Sequence, residues 1–358
     1  MSATPVGPAW SPAPARVVGM GHALPAAYTQ DSVWTGFFAE HYRDVRIAEQ
    51  LFVNSGVRTR HSVANPVFED VSRWGTAARM ERYLAEALPL GKDAVAGALA
   101  DAGIAAADVG LFAVTSCTGY VTPGVDIRLS RDLGMSDRVR RLFVGHMGCY
   151  AALPALGTVA DFTAARQRPS VLLCLELTSL HVQPPTTDVD QVVAHALFAD
   201  AAAAVVLEPA ERPGFEVVDV VARTDVSTAE YMTWDVTDLG FRMGLSPRVP
   251  AVLARHVAGV VDELLTAHGL VRDDVDGWAV HPGGRRILEV VQRRLGLTAD
   301  ALDHSYGVLR DHGNCSSATV LLVLERMRAA GTVAPGRHLV ALAFGPGLTL
   351  YATLLRAT

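Results

Sequence analysis

At 358 residues, half of them hydrophobic, the chain suits two intimately packed halves better than one ordinary core. A formal charge of −6, a single lysine (Lys92) and arginines scattered without a basic stripe exclude a nucleic-acid surface or an anionic-membrane anchor as its organising feature. No apolar run approaches the roughly 18 residues of a membrane span. Residues 1–15, with Pro5, Pro8, Pro12 and Pro14, lack the basic start and apolar stretch of a secretion signal and read as a loosely attached tail. Cys117, Cys149, Cys174 and Cys315 form neither a disulfide framework nor a C-x-x-C metal pair, which predicts a reducing, cytoplasmic setting.

In chain order, a short strand at 16–21 is followed by Pro25. Helical apolar spacing covers 34–52, 74–88 and 94–102. Continuous apolar runs at 111–115, 171–176 and 202–207 read as strands covered on both faces. Pro209 and Pro213 interrupt the pattern and place a boundary at 208–214, dividing an N-terminal half, 16–210, from a C-terminal half, 211–358. The second half gives a strand at 215–223, a helix at 249–268 opened by Pro250, a strand at 278–281 and helices at 285–295 and 315–329. Two final strands, 338–344 and 348–354, are joined by the tight turn Gly345-Pro346-Gly347. Buried strands alternating with helices predict α/β layers.

The two halves repeat each other. Residues 103–115 lie over 269–281 without a gap, with Gly103/Gly269, Asp108/Asp274, Val109/Val275, Ala113/Ala279 and Val114/Val280 identical. The same offset of 166 sets Cys149 over Cys315 and Gly148 over Asn314. Halves packed about a pseudo-twofold axis bring equivalent strand ends and helix starts together, so Cys149 is expected to face His281 and Asn314.

Each of these three residues has an ordinary reading beside the chemical one. Cys149 opens an Ala/Leu-rich helix, where free amides and the helix dipole favour the nucleophilic thiolate, although most buried cysteines are inert. The inert reading is kept for Cys174 and Cys315. His281 ends a buried strand in His281-Pro-Gly-Gly284, where the glycines let backbone approach a ligand. Asn314 can cap a helix or donate its amide to a developing oxyanion, and the motif alone does not separate the two. Together a thiolate, an imidazolium and an amide can take an acyl group from a thioester. They can then stabilise the enolate left by decarboxylation of a malonyl thioester, with no metal or redox cofactor. A papain-like protease uses the same residue types, but its Cys-Gly-Ser-Cys-Trp context is absent. Gly19-Met-Gly21 is too short for a dinucleotide fingerprint, and no second pair completes a metal site with His146 and Cys149.

From residue 16 to 355 the sequence resembles the type III polyketide synthases, the chalcone-synthase-like branch of the thiolase fold. The resemblance rests on Gly148-Cys149, His281-Pro-Gly-Gly284, Gly313-Asn314-x-Ser316-Ser317 and Phe344-Gly-Pro-Gly-Leu348. It implies a five-layered αβαβα homodimer in which Cys149 carries the growing chain. His281 and Asn314 then bind the thioester carbonyl and promote decarboxylation. Phe198 resembles the phenylalanine that gates the channel between the coenzyme A tunnel and the acyl cavity. Met243 falls where a second gating phenylalanine is usual, and methionine there makes a more deformable gate.

Cavity positions fall at Cys117, Thr118, Thr178, His181, Trp234 and Ser316, with the turn Gly345, Pro346, Gly347 beside them. Trp234 replaces a small residue of the plant enzymes and implies a smaller cavity, while the segment 176–181 looks bacterial. Arg58 and Arg60 resemble a coenzyme A phosphate contact. The expected partners are acyl-CoA and malonyl-CoA as substrates, a second copy of the chain and, as a possibility, an acyl carrier protein. The expected product is a cyclised α-pyrone or resorcinol, with an aliphatic starter suggested by the bacterial look. The alternatives are a ketoacyl synthase III-like enzyme making one condensation with a malonyl carrier protein, and a non-catalytic synthase partner.

Overall fold

A computed structural model describes residues 13–358. The N-terminal half supplies β1 (Arg16–Ala23), the short pair β2 (Ala27–Thr29) and β3 (Thr59–His61), then β4 (Leu111–Ser116), β5 (Arg140–Gly145), β6 (Ser170–Glu176) and β7 (Ala201–Glu208). The C-terminal half supplies β8 (Phe215–Thr224), the hairpin β9 (Met232–Thr237) and β10 (Gly240–Leu245), then β11 (Val275–Val280), β12 (His338–Gly345) and β13 (Thr349–Ala357).

The main sheets run β1-β7-β6-β4-β5 in the first half and β8-β13-β12-β11 in the second. Pairing directions also repeat: β4–β6 and β11–β12 are parallel, while β6–β7 and β12–β13 are antiparallel, as are β7–β1 and β13–β8. The duplication read from the sequence is thus a duplication of topology. Two residue pairs, Arg16 with Glu216 and Val17 with Phe215, join β1 to β8.

Side chains alternate between two cores along each strand, because successive residues point to opposite faces. In β7, Ala201, Ala203, Val205 and Leu207 face a central core, whereas Ala202, Ala204 and Val206 face an outer one. In β12, Leu339, Ala341 and Ala343 face the centre, and Val340, Leu342 and Phe344 face the opposite outer core. The central layer holds the helices Ala152–Arg166 and Ala318–Ala329. The outer layers hold Thr76–Ala102 on one side and Val249–Ala267 with Arg285–Leu295 on the other. The result is the five-layered αβαβα stack.

Several local expectations change. Helices expected at 74–88 and 94–102 are one helix, Thr76–Ala102, which runs through Pro89. A proline inside a helix costs about 3 kcal/mol; here the buried face from Tyr83 to Ala102 spans the break and offsets it. Gly19 and Gly21 of β1 serve this helix: a Cβ on Gly19 lies 2.3 Å from the Ala98 carbonyl oxygen, so strand and helix approach only without side chains. The helix expected at 34–52 is broken into a π-turn, Trp34–Phe38, and a separate helix, Ala48–Asn54. The expected tail reaches at most to Pro14, since Ala15 is buried and its carbonyl accepts from Val217 N–H; residues 1–12 of it lie outside the described residues. Among the described residues no helix is long and apolar enough to cross a membrane.

Candidate active site

Cys149 sits in a one-turn 3-10 helix, Gly148–Tyr150, just before the central helix Ala152–Arg166. Gly148 has φ +72°, and a Cβ there would lie 2.9 Å from Pro346. Conformation and crowding together select glycine before the cysteine. The closing turn leans on this point: Pro346 meets Gly148, and Gly345 lies against the Cys149 backbone nitrogen. Phe344, the preceding residue, packs against the His281 ring at 5.7 Å between centroids. One loop therefore touches both the cysteine and the histidine.

His281 follows β11, its N–H bonded to the Leu342 carbonyl at 2.7 Å. The residue has no exposed surface, and neither ring nitrogen has a hydrogen-bond partner. Burial drives its pKa down to about 3, so the imidazole is neutral at pH 7. Asn314 follows the positive-φ Gly313, and its backbone pairs with that of Leu197 and Ala199. Its side-chain oxygen accepts from Ser316 N–H at 2.9 Å, which aims the NH2 end away from that turn. The Ser316 hydroxyl lies against the Cys117 thiol at 3.6 Å and lines one cavity with Cys149. Through Ser316 and the Phe344–Pro346 loop, the structure brings Cys149, His281 and Asn314 to one buried place.

The electrostatics differ from the sequence expectation. Burial pushes the Cys149 thiol up to about 12, and the Ser316 hydroxyl offsets this only in part. The helix start does not yield a resting thiolate, because desolvation of the charge outweighs the dipole. Unpaired, the thiol and the imidazole are both neutral.

A small cavity opens at Cys149, lined by Cys117, Thr118, Gly148, Thr178, Phe198, Met232, Trp234, Met243, Ser316 and Pro346. Eight of the eleven residues expected to bind substrate therefore line it. His181 does not: it is held at both nitrogens, by the Thr118 carbonyl at 2.7 Å and Phe241 N–H at 2.9 Å, and faces a second cavity. Gly345 supports Cys149 from behind, and Gly347 lies against Thr349 and Thr224, away from the cavity. Arg60 corrects the expected phosphate contact. It is buried, and its NH groups bond the carbonyls of His195, Ala196 and Phe198 and the Gln30 side chain, so it braces the loop under Phe198 instead. Arg58 is exposed.

Sequence reasoning missed Glu176. This carboxylate has no exposed surface and collects Cys117 N–H at 3.0 Å, the Thr118 hydroxyl at 2.8 Å and the Ser317 hydroxyl at 2.6 Å. It ties the loop after β4 to the segment carrying Asn314, one from each half. Burial raises its pKa. The available signal was a lone acid ending the otherwise apolar run 171–176.

A duplicated αβαβα fold with a buried cysteine, histidine and asparagine meeting at the seam defines a thiolase-fold condensing enzyme. Family models for the chalcone and stilbene synthases match the N-terminal domain over residues 9–210 and the C-terminal domain over 220–358. The chain belongs to this family, the type III polyketide synthases. It is 33% identical to 3,5-dihydroxyphenylacetyl-CoA synthase of Streptomyces toyocaensis, over 95% of this chain and 90% of that protein. It is equally 33% identical to the alpha-pyrone synthesis polyketide synthase-like Pks18 of Mycobacterium tuberculosis, over 95% and 91%. The crystal structure of 1,3,6,8-tetrahydroxynaphthalene synthase from Streptomyces coelicolor superposes with a TM-score of 0.91 at 28% identity, covering 96% of this chain and 99% of that one.

Proposed function

We propose that Cys149 takes an acyl group from acyl-CoA and extends it with malonyl-CoA-type units, and that the chain is released as an α-pyrone or resorcinol-type ring. The observation that carries this reading is His281, a fully buried imidazole with both nitrogens free, linked through the Phe344–Pro346 loop to a cysteine that lines a cavity. A buried polar group without a partner is costly, and it persists where a ligand supplies the partner.

In the loading step the Cys149 sulfur attacks the thioester carbonyl. Its proton passes to the neutral His281 and on to the departing coenzyme A thiolate. Malonyl-CoA then loses carbon dioxide, and the enolate oxygen accepts hydrogen bonds from His281 and the Asn314 amide. The carbanion attacks the acyl-cysteine carbonyl, forming the carbon–carbon bond, breaking the carbon–sulfur bond and returning the chain to coenzyme A. The Cys149 thiolate released in this step takes up one proton to return to the resting thiol, so each extension consumes one proton and calls on no cofactor. A neutral thiol and a neutral imidazole favour proton transfer during attack over a resting ion pair.

Phe198 and Met243 are the gate residues of this reading, and Trp234 limits cavity depth. A homodimer is supported by β5, an edge strand paired only with β4 among the described residues, which leaves Phe143 40% exposed. Four free, buried cysteines fit a reducing cytoplasm.

The test is incubation with an acyl-CoA and malonyl-CoA in the absence of any carrier protein. A cyclic polyketide is expected. Strict dependence on a carrier, with a single extension, would overturn the reading in favour of a ketoacyl synthase III-like reaction.

A further inference from the structure

Asn314 is approached by the chain from two sides, and one residue of the N-terminal half reaches both. Upstream, the helix Asp303–His312 ends, and Gly313, at φ +76°, turns the chain into Asn314. Alongside, the Asn314 backbone pairs with Leu197 and Ala199. The shared residue is His61, the last of β3. Its carbonyl accepts from Asp200 N–H at 2.9 Å, one residue beyond that pairing, and its ring Nε2 lies 3.2 Å from His312 Nδ1. Arg58 N–H, just before β3, bonds the Arg310 carbonyl at 2.8 Å, so the last turn of the helix is held by main chain as well. The Cys315 thiol reaches back to the His312 carbonyl at 3.5 Å and closes a short loop around Asn314. A shift of His312 is therefore carried to the amide.

The bonding partners fix where the protons of the histidine pair sit. His61 Nδ1 lies 2.9 Å from the Pro25 carbonyl, and a carbonyl only accepts, so Nδ1 carries the proton. Burial lowers the pKa of His61 and holds His312 down at about 4, which leaves both rings neutral at pH 7. A neutral His61 then presents a lone pair at Nε2, and His312 donates its Nδ1–H to it. Both His61 nitrogens are spent within the protein, which leaves none to hold a metal. Neither ring lines the cavity at Cys149, so the pair reaches the reaction only through a neighbour.

We infer, resting on the reading of Asn314 as an oxyanion donor, that the hydrogen bond between His312 and His61 positions the Asn314 amide against the enolate oxygen. The bond joins segments 251 residues apart, one from each half, two residues before the amide it places. Both histidines are positioning residues. A donor of this kind works within about 2.7–3.1 Å of the developing oxyanion. Misplacement by about 1 Å costs on the order of 10²-fold in rate. Starter loading draws on Cys149 and His281 far more than on this amide, so the clamp bears on decarboxylation.

The experiment compares His312→Leu with His312→Asn. The two replacements have nearly the same shape, but the asparagine amide puts an N–H donor where Nδ1–H stands. Carbon dioxide release from malonyl-CoA is measured for each, beside the rate of adduct formation at Cys149 from butanoyl-CoA by intact-mass spectrometry. His312→Leu should lower kcat for decarboxylation about tenfold, with KM for malonyl-CoA and the loading rate each within about twofold of wild type. His312→Asn should recover most of the loss. Equal slowing of loading and decarboxylation would make the pair a merely structural contact and overturn the proposal. Unchanged decarboxylation in His312→Leu, or an asparagine variant no faster than the leucine one, would overturn it too. His61→Leu removes the acceptor from the other side, with the same expected split, and replaces His312→Leu if thermal melting shows that variant unfolded. Asn314→Ala, run in parallel, separates the two levels. Undiminished decarboxylation there counts against Asn314 as a donor, whereas a loss there with none in His312→Leu counts against the clamp alone.

Discussion

The two copies of the repeat place a cysteine at the same point and treat it differently. Cys149 and Cys315 each lie three residues before a central helix, which begins at Ala152 in one half and Ala318 in the other. Cys149 lines a cavity together with Ser316, whereas Cys315 has no exposed surface and directs its thiol to the His312 carbonyl at 3.5 Å. Burial raises the pKa of both thiols. A helix start therefore does not make a nucleophile. What separates them is what each sulfur meets: a cavity for one, packed protein and the His312 carbonyl for the other.

Four measurements test that contrast. The largest effect is expected from Cys149→Ala, which should abolish the acyl adduct seen by intact-mass spectrometry and lower turnover by more than about 10³-fold. Cys315→Ala should keep the adduct. An adduct surviving in Cys149→Ala, or lost in Cys315→Ala, breaks the comparison.

Next, Asn314→Ala should slow malonyl decarboxylation by on the order of 10²- to 10³-fold, the cost of one oxyanion donor, and starter loading much less. Unchanged decarboxylation would reduce Asn314 to a turn residue bonded to Ser316.

A pH series sharpens the electrostatic side. With the Cys149 thiol held up at about 12 and His281 down at about 3, both are neutral at pH 7. The thiolate fraction, and with it alkylation of Cys149 by iodoacetamide, should rise about tenfold per unit from pH 7 to 9. A rate already flat at pH 7 would mean a resting thiolate–imidazolium pair. Cys315 should stay unmodified across the series.

The smallest catalytic effect is expected from the two arginines. Arg60→Ala should lower stability by about 2–3 kcal/mol in denaturant unfolding, because it strands the carbonyls that its charge holds. The KM for malonyl-CoA should change little. Arg58→Ala should leave unfolding unchanged. A rise in KM confined to Arg60→Ala would restore it as a phosphate contact.

Much of this was legible along the chain. The continuous apolar runs at 111–115, 171–176 and 202–207 are strands because both their faces meet a core. The helix Arg285–Leu295 has the bounds its apolar spacing gave. Other elements were hidden. The β9–β10 hairpin, which carries Trp234 and Met243, has mixed polarity because one face meets a cavity rather than a core. Pro89 signalled a helix end that packing overrides. Glu176 was read as part of a motif, and only its ring of donors from both halves reveals its placement.

The sequence by itself determined the duplication, the layered α/β class and the identity of the three residues at the seam, because periodicity and a fixed offset are properties of the chain. Tertiary structure alone decided their protonation, the second cavity and the fate of Arg60. Each of those depends on how much water is excluded and which partners arrive from segments distant in the chain, and desolvation has no signature in residue order.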